Sequence, residues 1–192
     1  MKTAWKTVWL MRHGDNTLRS DLKRFGVWQK DSPLSKKGKR DIALMRETYL
    51  AGQEFAILGT SPFKRARETA ELAVPGAHWE VMPRLAPRLP EVLDTLWTSG
   101  NAPSTLEEAE KRWPGFLEIE TDWMLAAIIS VQNRLRDGQH ALLVSHQPML
   151  GLARGSLDQR FPLYDQTLKK GEIYKLEVSK TLRTRSYHLQ LP

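Results

Sequence analysis

The sequence contains no cysteine, no long apolar run and no internal repeat, and these absences narrow what the chain can be. Without cysteine there is no disulfide, no thiolate nucleophile and no zinc–sulfur site. Apolar stretches such as residues 124–129 are far shorter than the ~20 residues that cross a bilayer. The N-terminal residues lack the apolar core of a secretory signal, so we expect a cytoplasmic protein with no membrane partner.

The composition is otherwise that of an ordinary folded domain. The 192 residues are 41% hydrophobic and 27% charged, and we expect one domain over residues 1–192 with a sizeable core. The formal net charge of +7 allows an anionic partner. Because the basic residues are spread along the chain, a nucleic acid is not the expected partner.

Short apolar runs alternate with helical periodicity along the chain. Buried strands are predicted at residues 7–11, 55–59 and 141–144, and a further strand is predicted at 79–82. Alternating apolar residues in the segments 173–178 and 186–191 predict a terminal hairpin or adjacent edge strands. The alternation of strands and helices predicts an α/β fold with a mainly parallel sheet and helices on both of its faces.

The segments between the strands carry helix signals. Ser35 is predicted as an N-cap, and Ser61-Pro62 has the pattern of an N-cap and a first helical residue. A long helix is predicted over about 117–136, with an inward face of Ile119, Trp123, Ala126, Ala127 and Ser130. Residues 83–104 contain several prolines and no clear period, so we expect a cap or insertion around 84–123.

Three of the predicted strands are each followed by a short polar string. The strings are RHG at 12–14, SPFKRA at 61–66 and SHQP at 145–148. In an α/β fold the ligand crevice forms at the carboxyl ends of the strands. The strings therefore predict one pocket that contains two imidazoles, His13 and His146, and two guanidinium groups, Arg12 and Arg65.

These four side chains are suited to removing a phosphoryl group. A neutral imidazole can accept the phosphoryl group, giving a phosphohistidine that water then hydrolyses. The positive charges of Arg12, Arg65 and His146 should lower the pKa of His13 and keep it neutral near pH 7. The same groups stabilise the oxygens of the transferred group, so neither a metal nor another cofactor is required.

Two further residues of the strings are predicted to bind substrate. Gly14 allows a sharp turn or a close approach of the backbone to a ligand. Ser61 is expected to begin a helix whose free N–H groups form an anion site. Each string taken alone has a simpler explanation, such as a salt bridge for Arg12 or a basic, solvated helix face around Arg65.

The three strings in this order resemble the histidine phosphatase superfamily, which is also called phosphoglycerate mutase-like. The resemblance extends over most of the chain, from residue 8 to about residue 178. It implies a three-layer α/β/α sandwich. It also implies that His13 is the phosphorylated nucleophile and that Arg12, Arg65 and His146 complete the phosphate pocket.

Other positions are similar to the small phosphohistidine phosphatase branch of that superfamily, which acts on signalling phosphotransfer proteins. They are Asp15 after the first string, Pro33-Leu34-Ser35 with Gly38, and Leu168 with Gly171. Asn16 stands where the family often has serine or threonine beside the phosphate, and this implies that Asn16 binds substrate.

One position departs from the family pattern. Mutases and sugar phosphatases usually have a glutamate proton donor in a Leu-x-Glu string, and this sequence has Leu85-Ala86-Pro87 instead. A sugar alcohol is a poor leaving group that needs a general acid. The missing acid therefore favours phosphohistidine or another good leaving group as substrate, although Glu91 or Asp15 could supply a proton.

The sequence leaves three functions open. The first is a phosphatase that forms a phosphohistidine on His13 and acts on a phosphorylated protein or a small phosphorylated metabolite. The second is a phosphosugar or nucleotide phosphatase, or a mutase, with Glu91 as the acid. The third is a degenerate phosphatase fold that only binds phosphoprotein or nucleic acid, and the presence of both imidazoles disfavours it. Neither the substrate nor the oligomeric state is predicted.

Overall fold

One six-stranded sheet organises the part of the chain that the computed structural model describes, residues 5–17, 31–88, 110–147, 149–157, 168–179 and 184–190. The strands are β1 (Trp5–Arg12), β2 (Ile57–Thr60), β3 (Glu80–Val81), β4 (His140–Ser145), β5 (Ile173–Ser179) and β6 (Thr184–Leu189). The helices are α1 (Lys36–Met45), α2 (Lys64–Ala73), α3 (Phe116–Arg134) and α4 (Met149–Leu157). A π-helical turn (Arg46–Leu50) extends α1, and a 3-10 turn (Pro83–Leu85) follows β3.

The strand order is β3-β2-β4-β1-β5-β6. The first four strands in this order are parallel, and β5 and β6 are antiparallel to their neighbours. Arg12 at the end of β1 lies opposite Ser145 of β4, and Thr60 of β2 lies opposite Val144. The carboxyl ends of β1, β2 and β4 are therefore level. This topology confirms the predicted parallel sheet and terminal hairpin.

Helices cover both faces of this sheet. On one face the apolar side chains of β1, β4 and β5 pack against α3 and α4, in a cluster that includes Leu10, Leu143, Tyr174, Met124 and Met149. On the other face they pack against α1 and α2, in a cluster that includes Trp9, Met11, Val144, Ile42 and Ala70. The described residues thus form three layers, which confirms the predicted α/β/α sandwich.

The start of α2 differs from the prediction. Its N-cap position is taken by Phe63, without a capping side chain, so the prediction that Ser61 caps this helix is wrong. The Ser61 hydroxyl instead lies 2.8 Å from Nε2 of His146 and accepts the N–H of Phe63 at 3.3 Å. Ser61 is held at the strand end by a partner that is distant in sequence, and the helix begins two residues after Pro62.

The buried face of α3 also differs from the prediction. Its buried residues are Phe116, Glu120, Met124, Ala127, Ile128 and Val131. Of the predicted inward residues only Ala127 is among them, while Ile119 is 38% exposed. The discrepancy arises because Glu120, which a hydropathy pattern assigns to solvent, is fully buried and accepts the N–H of Arg88 at 3.1 Å.

Two predictions concern segments that the structure covers only in part. The cap around 84–123 includes residues 89–109, which lie outside the described residues, so the cap and the single domain over 1–192 stay predictions. No helix within the described ranges is long and apolar enough to span a membrane.

The start of α1 lies against the loop that follows β1. Ser35 is the N-cap, as predicted: its hydroxyl accepts the N–H of Gly38 at 3.0 Å and donates to Asp15 at 2.6 Å. The Ser35 N–H also donates to the carbonyl oxygen of Asp15 at 2.9 Å. A Cβ on Gly38 would lie 2.1 Å from that same oxygen. Gly38 is therefore required by this close contact between α1 and the loop.

We expect Gly38→Ala to destabilise the protein by about 2 kcal/mol, because the added methyl group overlaps backbone that cannot move without breaking the Ser35 contacts. Urea unfolding measures the change. The control is Lys39→Ala, an exposed position in the same helix, which should alter the free energy of unfolding by less than about 0.5 kcal/mol. Equal effects of the two changes would contradict the proposed overlap.

Candidate active site

The ends of β1, β2 and β4 bring the predicted pocket residues together. The N–H of His13 donates to the carbonyl of Ser145 at 3.0 Å, and the N–H of Ser61 donates to the carbonyl of Val144 at 3.0 Å. The hydrogen bonding of the sheet thus continues one residue beyond β1, at His13, and one residue beyond β2, at Ser61. The N–H of Gly171 bonds to the carbonyls of Arg12 and His13, at 3.1 and 3.2 Å. The backbone under the pocket is therefore an extension of the sheet.

The two histidines of the first and third strings are neighbours. Their ring centres are 5.0 Å apart, and both rings are buried, with His13 7% and His146 1% exposed. Nδ1 of His13 lies 2.8 Å from the carbonyl oxygen of Gly14. Because that oxygen can only accept, Nδ1 carries the hydrogen, and in the neutral ring the lone pair is on Nε2. His13 is thus arranged as a nucleophile.

Phe63 is a part of the site that sequence reasoning missed. Its ring meets that of His146 edge-on, with centres 5.1 Å apart. The guanidinium carbon of Arg65 lies 4.7 Å from the centre of the same ring. Phe63 therefore separates a cation from an imidazole and excludes water from both. A single aromatic residue between a proline and a lysine has no periodicity that could have identified it.

Both imidazoles are held in their neutral form. Burial lowers the pKa of His13 well below 6.5, and Arg65, Arg12 and Lys170 lower it further against an opposing hydrogen bond to Gly14. Burial, followed by Arg65, His13 and Arg12, lowers the pKa of His146 in the same way. The direction agrees with the sequence prediction for His13, but the largest cause is loss of hydration and not the neighbouring charge.

The two arginines reach the pocket from different elements. Arg65 is in the first turn of α2 and is 8% exposed. Arg12 ends β1, and its Nη1 donates to the carbonyl of Leu168 at 2.8 Å. Arg65 is thus buried and Arg12 half-buried. Cations that are shielded from water favour a bound anion, and the planar guanidinium group pairs with phosphate oxygens two at a time. The predicted set of Arg12, Arg65, His13 and His146 therefore lies together in the structure.

Gly14 is surrounded by protein atoms. A Cβ at this position would lie 3.1 Å from the Ile42 side chain and 3.2 Å from the Leu34 side chain, so a larger residue would require both side chains to shift. Its N–H donates to the hydroxyl of Thr69 at 3.0 Å, and that hydroxyl donates to the carbonyl of Arg65 at 2.7 Å. The bond joins the loop after β1 to the first turn of α2. Substrate binding by Gly14 and Ser61 stays a prediction.

Lys170 joins Asp15 and Asn16 at the edge of the pocket. Its Nζ lies 2.8 Å from Asp15 Oδ1 and 3.1 Å from Asn16 Oδ1. Nδ2 of Asn16 donates to Ser32 at 2.9 Å, so both ends of the amide have protein partners. Sequence reasoning did not select Lys170, and only its place before Gly171 in the last quoted motif points to it.

Asp15 is a poor candidate for the proton donor. Burial raises the pKa of its carboxyl, but the hydrogen bonds from Lys170 and Ser35 outweigh burial and lower the pKa overall. An ionised carboxylate has no proton to give at neutral pH. The other candidate, Glu91, lies outside the described residues.

The segment 85–87, where the family often has an acid, is held by one contact to the end of β4 and one contact to α3. The hydroxyl of Ser145 donates to the carbonyl of Leu85 at 2.7 Å, and Nε1 of Trp123 donates to the carbonyl of Ala86 at 3.1 Å. Pro87 follows, and it carries no acid. Within the described ranges, no group of three or more His, Asp or Glu side chains is arranged to hold a metal ion.

A parallel-sheet sandwich with paired imidazoles and arginines at one sheet edge is the arrangement expected of enzymes that transfer phosphoryl groups through histidine. A family model for the histidine phosphatase superfamily (branch 1) matches residues 8–179. The chain belongs to this superfamily. Membership implies phosphatase activity in general terms, without naming a substrate.

Solved structures share the fold at low sequence identity. A phosphoglycerate mutase from Bacillus anthracis superposes with a TM-score of 0.71 at 17% identity, over 97% of this chain and 93% of that chain. The protein histidine phosphatase SixA, solved with tungstate, has a TM-score of 0.60 at 19% identity, over 96% of both chains. A phosphoserine phosphatase from Entamoeba histolytica has a TM-score of 0.62 at 14% identity, over 96% of this chain and 97% of that chain. No curated protein matches the sequence significantly.

We expect the protein to lose stability as the pH falls below 6.5, the ordinary histidine pKa. Above that value both the folded and the unfolded chain have neutral imidazoles; below it the unfolded chain takes up protons that His13 and His146 do not. Each site can contribute a slope of up to about 1.4 kcal/mol per pH unit. Urea unfolding between about pH 7.5 and about pH 5 measures the effect.

The matched variant for this experiment is His13→Asn, which keeps a polar side chain but removes one titrating ring. Its free energy of unfolding should fall less steeply with acidification than that of the unmodified protein. Identical slopes for the two proteins would show that His13 is not held neutral in the fold.

Proposed function

We propose that the chain is a phosphatase that hydrolyses a phosphohistidine or a phosphomonoester through a covalent phosphohistidine on His13. The observation that carries this proposal is the hydrogen bond from Nδ1 of His13 to Gly14. It leaves the lone pair on Nε2 of a ring whose pKa is far below neutral pH. Arg12 and Arg65 lie beside that ring and supply positive charge for the phosphoryl oxygens.

The reaction takes two displacements at phosphorus. Nε2 of His13 attacks, a P–N bond forms, and the bond from phosphorus to the leaving group breaks with its electron pair going to that group. Water then attacks the phosphohistidine, the P–N bond breaks, and inorganic phosphate is released as the imidazole recovers its lone pair. In both steps the arginines stabilise the charge spread over the equatorial oxygens.

We propose that His146 binds the transferred group and that Ser61 holds His146 in position. The Ser61 hydroxyl accepts the Phe63 N–H at 3.3 Å and lies 2.8 Å from Nε2 of His146. This contact fixes the orientation of the imidazole, and the tautomer of the ring sets which of the two groups donates. Ser61 acts through His146 in this scheme and does not itself touch the reacting atoms.

The leaving group is one that departs without a strong acid. Pro87 replaces the acid that sugar phosphatases of the family often have, and the low pKa of Asp15 disfavours it as a substitute. A phosphohistidine in a protein substrate meets this requirement, as does a small metabolite with a good leaving group. We also propose a cytoplasmic location, because the N-terminal residues lack the apolar core of a secretory signal.

The first test is the covalent intermediate. Incubation with a ³²P-labelled small phosphodonor should label the protein in a form that acid removes and alkali does not. His13→Ala should lower labelling by about a thousandfold, because it removes the nucleophile. His78→Ala, which removes a histidine outside the pocket, is the matched control and should label normally. Labelling that survives in His13→Ala would exclude the mechanism.

Substrate classes are separated by turnover on a panel. We expect a phosphohistidine peptide to be hydrolysed with a higher kcat/KM than phosphosugars or nucleotide monophosphates. Preference for the phosphosugars would favour an acid in the segment that contains Glu91. Salt-sensitive nucleic-acid binding with no turnover of any substrate would favour a binding module.

A further inference from the structure

Two arginines stack on one indole at the position of the missing acid. The guanidinium carbons of Arg84 and Arg88 lie 5.0 and 5.1 Å from the ring centre of Trp123. Both arginine side chains are exposed, and Trp123 is half-buried. Within the described ranges, neither guanidinium group forms an ion pair, and the exposed carboxylate of Asp122 bonds to neither. Two cations are therefore gathered on a surface where no anion among the described residues pairs with them.

This cluster is held firmly in place. Nε1 of Trp123 donates to the carbonyl of Ala86 at 3.1 Å. Ala86 lies between Arg84 and Arg88 in the sequence, so this bond holds the indole beside both arginines. The backbone N–H of Arg88 donates to the fully buried carboxylate of Glu120 at 3.1 Å. Stacking on a fixed ring also restricts the guanidinium groups before any ligand arrives, so less side-chain entropy is lost on binding.

The cluster adjoins the catalytic pocket. Leu85, which lies between Arg84 and Ala86, accepts a hydrogen bond from Ser145 at 2.7 Å, and Ser145 immediately precedes His146. The turn that carries Arg84 follows β3, which is parallel to β2, so it lies at the same edge of the sheet as His13. In place of an acid that would protonate a leaving group, this edge presents positive charge.

We propose that Arg84, Arg88 and Trp123 form a docking subsite for the carboxylates of an acidic protein segment that carries the phosphoryl group. The proposal rests on the phosphatase function above and specifies its substrate class. Guanidinium groups bind carboxylates through paired, charge-assisted hydrogen bonds. Positive charge beside the pocket also attracts an acidic partner over a distance and raises the rate of encounter.

A protein segment fits this cluster better than a small metabolite. Both guanidinium groups are exposed on the rim, whereas His13, His146 and Arg65 are buried. A chain can place its phosphoryl group in the buried pocket and its flanking side chains on Arg84 and Arg88, which are four residues apart in the sequence. A compact metabolite enclosed by the pocket would leave the rim unused.

The test uses two peptides of the same length, each with one phosphohistidine. One peptide has three glutamates beside the phosphohistidine, and the other has glutamines in their place. The variant is Arg84→Gln/Arg88→Gln. The control is Arg40→Gln/Arg136→Gln, which removes the same charge from two exposed arginines that form no ion pair within the described ranges, one in α1 and one in the turn after α3. Readouts are kcat/KM for each peptide and the binding of the unphosphorylated acidic peptide by fluorescence anisotropy.

We expect the Arg84/Arg88 variant to lose about tenfold in kcat/KM and in binding for the acidic peptide, as two exposed charge contacts would supply. The glutamine peptide should change by less than about twofold, and the control variant should behave as the unmodified protein. An equal loss on both peptides, or no loss on either, would overturn the proposal. So would an equal loss in the control variant, since net charge alone would then explain it.

Two further outcomes separate this proposal from its alternatives. If the variant weakens inhibition by inorganic pyrophosphate but leaves the acidic peptide unaffected, the subsite takes a small polyanion, and the protein-segment proposal is wrong. If the unmodified protein forms no phosphoenzyme on His13, the phosphatase mechanism fails. The anisotropy measurement then still decides whether Arg84 and Arg88 bind the acidic peptide.

Discussion

The removal of imidazole and guanidinium groups from water at the carboxyl edge of the sheet is the constraint on which the site depends. Burial of a potentially charged ring is tolerated only if the ring stays neutral, and here burial is the largest cause of the low pKa of both His13 and His146. Backbone hydrogen bonds that extend the sheet past β1 and β2 hold His13 and Ser61 at this edge. The position of the His13 ring is therefore set by the sheet.

Much of this arrangement could be predicted from the sequence, because strands of a parallel sheet end at one edge whatever their separation along the chain. That rule predicts that His13, Arg65 and His146 lie together. It does not predict the contact of Ser61 with His146, which is 85 residues away, and the local pattern around Ser61 is that of a helix cap. Hydropathy also predicts the wrong buried face for α3. It depends on residue type alone, whereas the burial of Glu120 depends on a hydrogen bond from the backbone N–H of Arg88.

The segment after β3 lies beside the pocket, as in the family, but it has proline at the position where the family often has an acid. Its contacts with Ser145 and Trp123 hold it beside the pocket, where the family often has an acid. Pro87 ends that possibility, and the nearby carboxylate of Glu120 is occupied by the N–H of Arg88. Within the described ranges, Glu120 thus binds backbone and Asp15 pairs with Lys170, and Arg84 and Arg88 add positive charge to this edge. This distribution of charge agrees with the proposed leaving group, which departs without a strong acid.

The same cations act differently before and after the phosphoryl group arrives. After burial, the charges of Arg65 and Arg12 disfavour protonation of His13 and so keep its lone pair available. A bound phosphoryl group brings negative charge to that place, so the arginines then pair with its oxygens and their effect on the imidazoles is offset. An anion bound beside His146 would by the same reasoning make that imidazole easier to protonate. Under the proposed mechanism, the same cations would therefore keep the nucleophile unprotonated before the reaction and stabilise the phosphoryl oxygens during it.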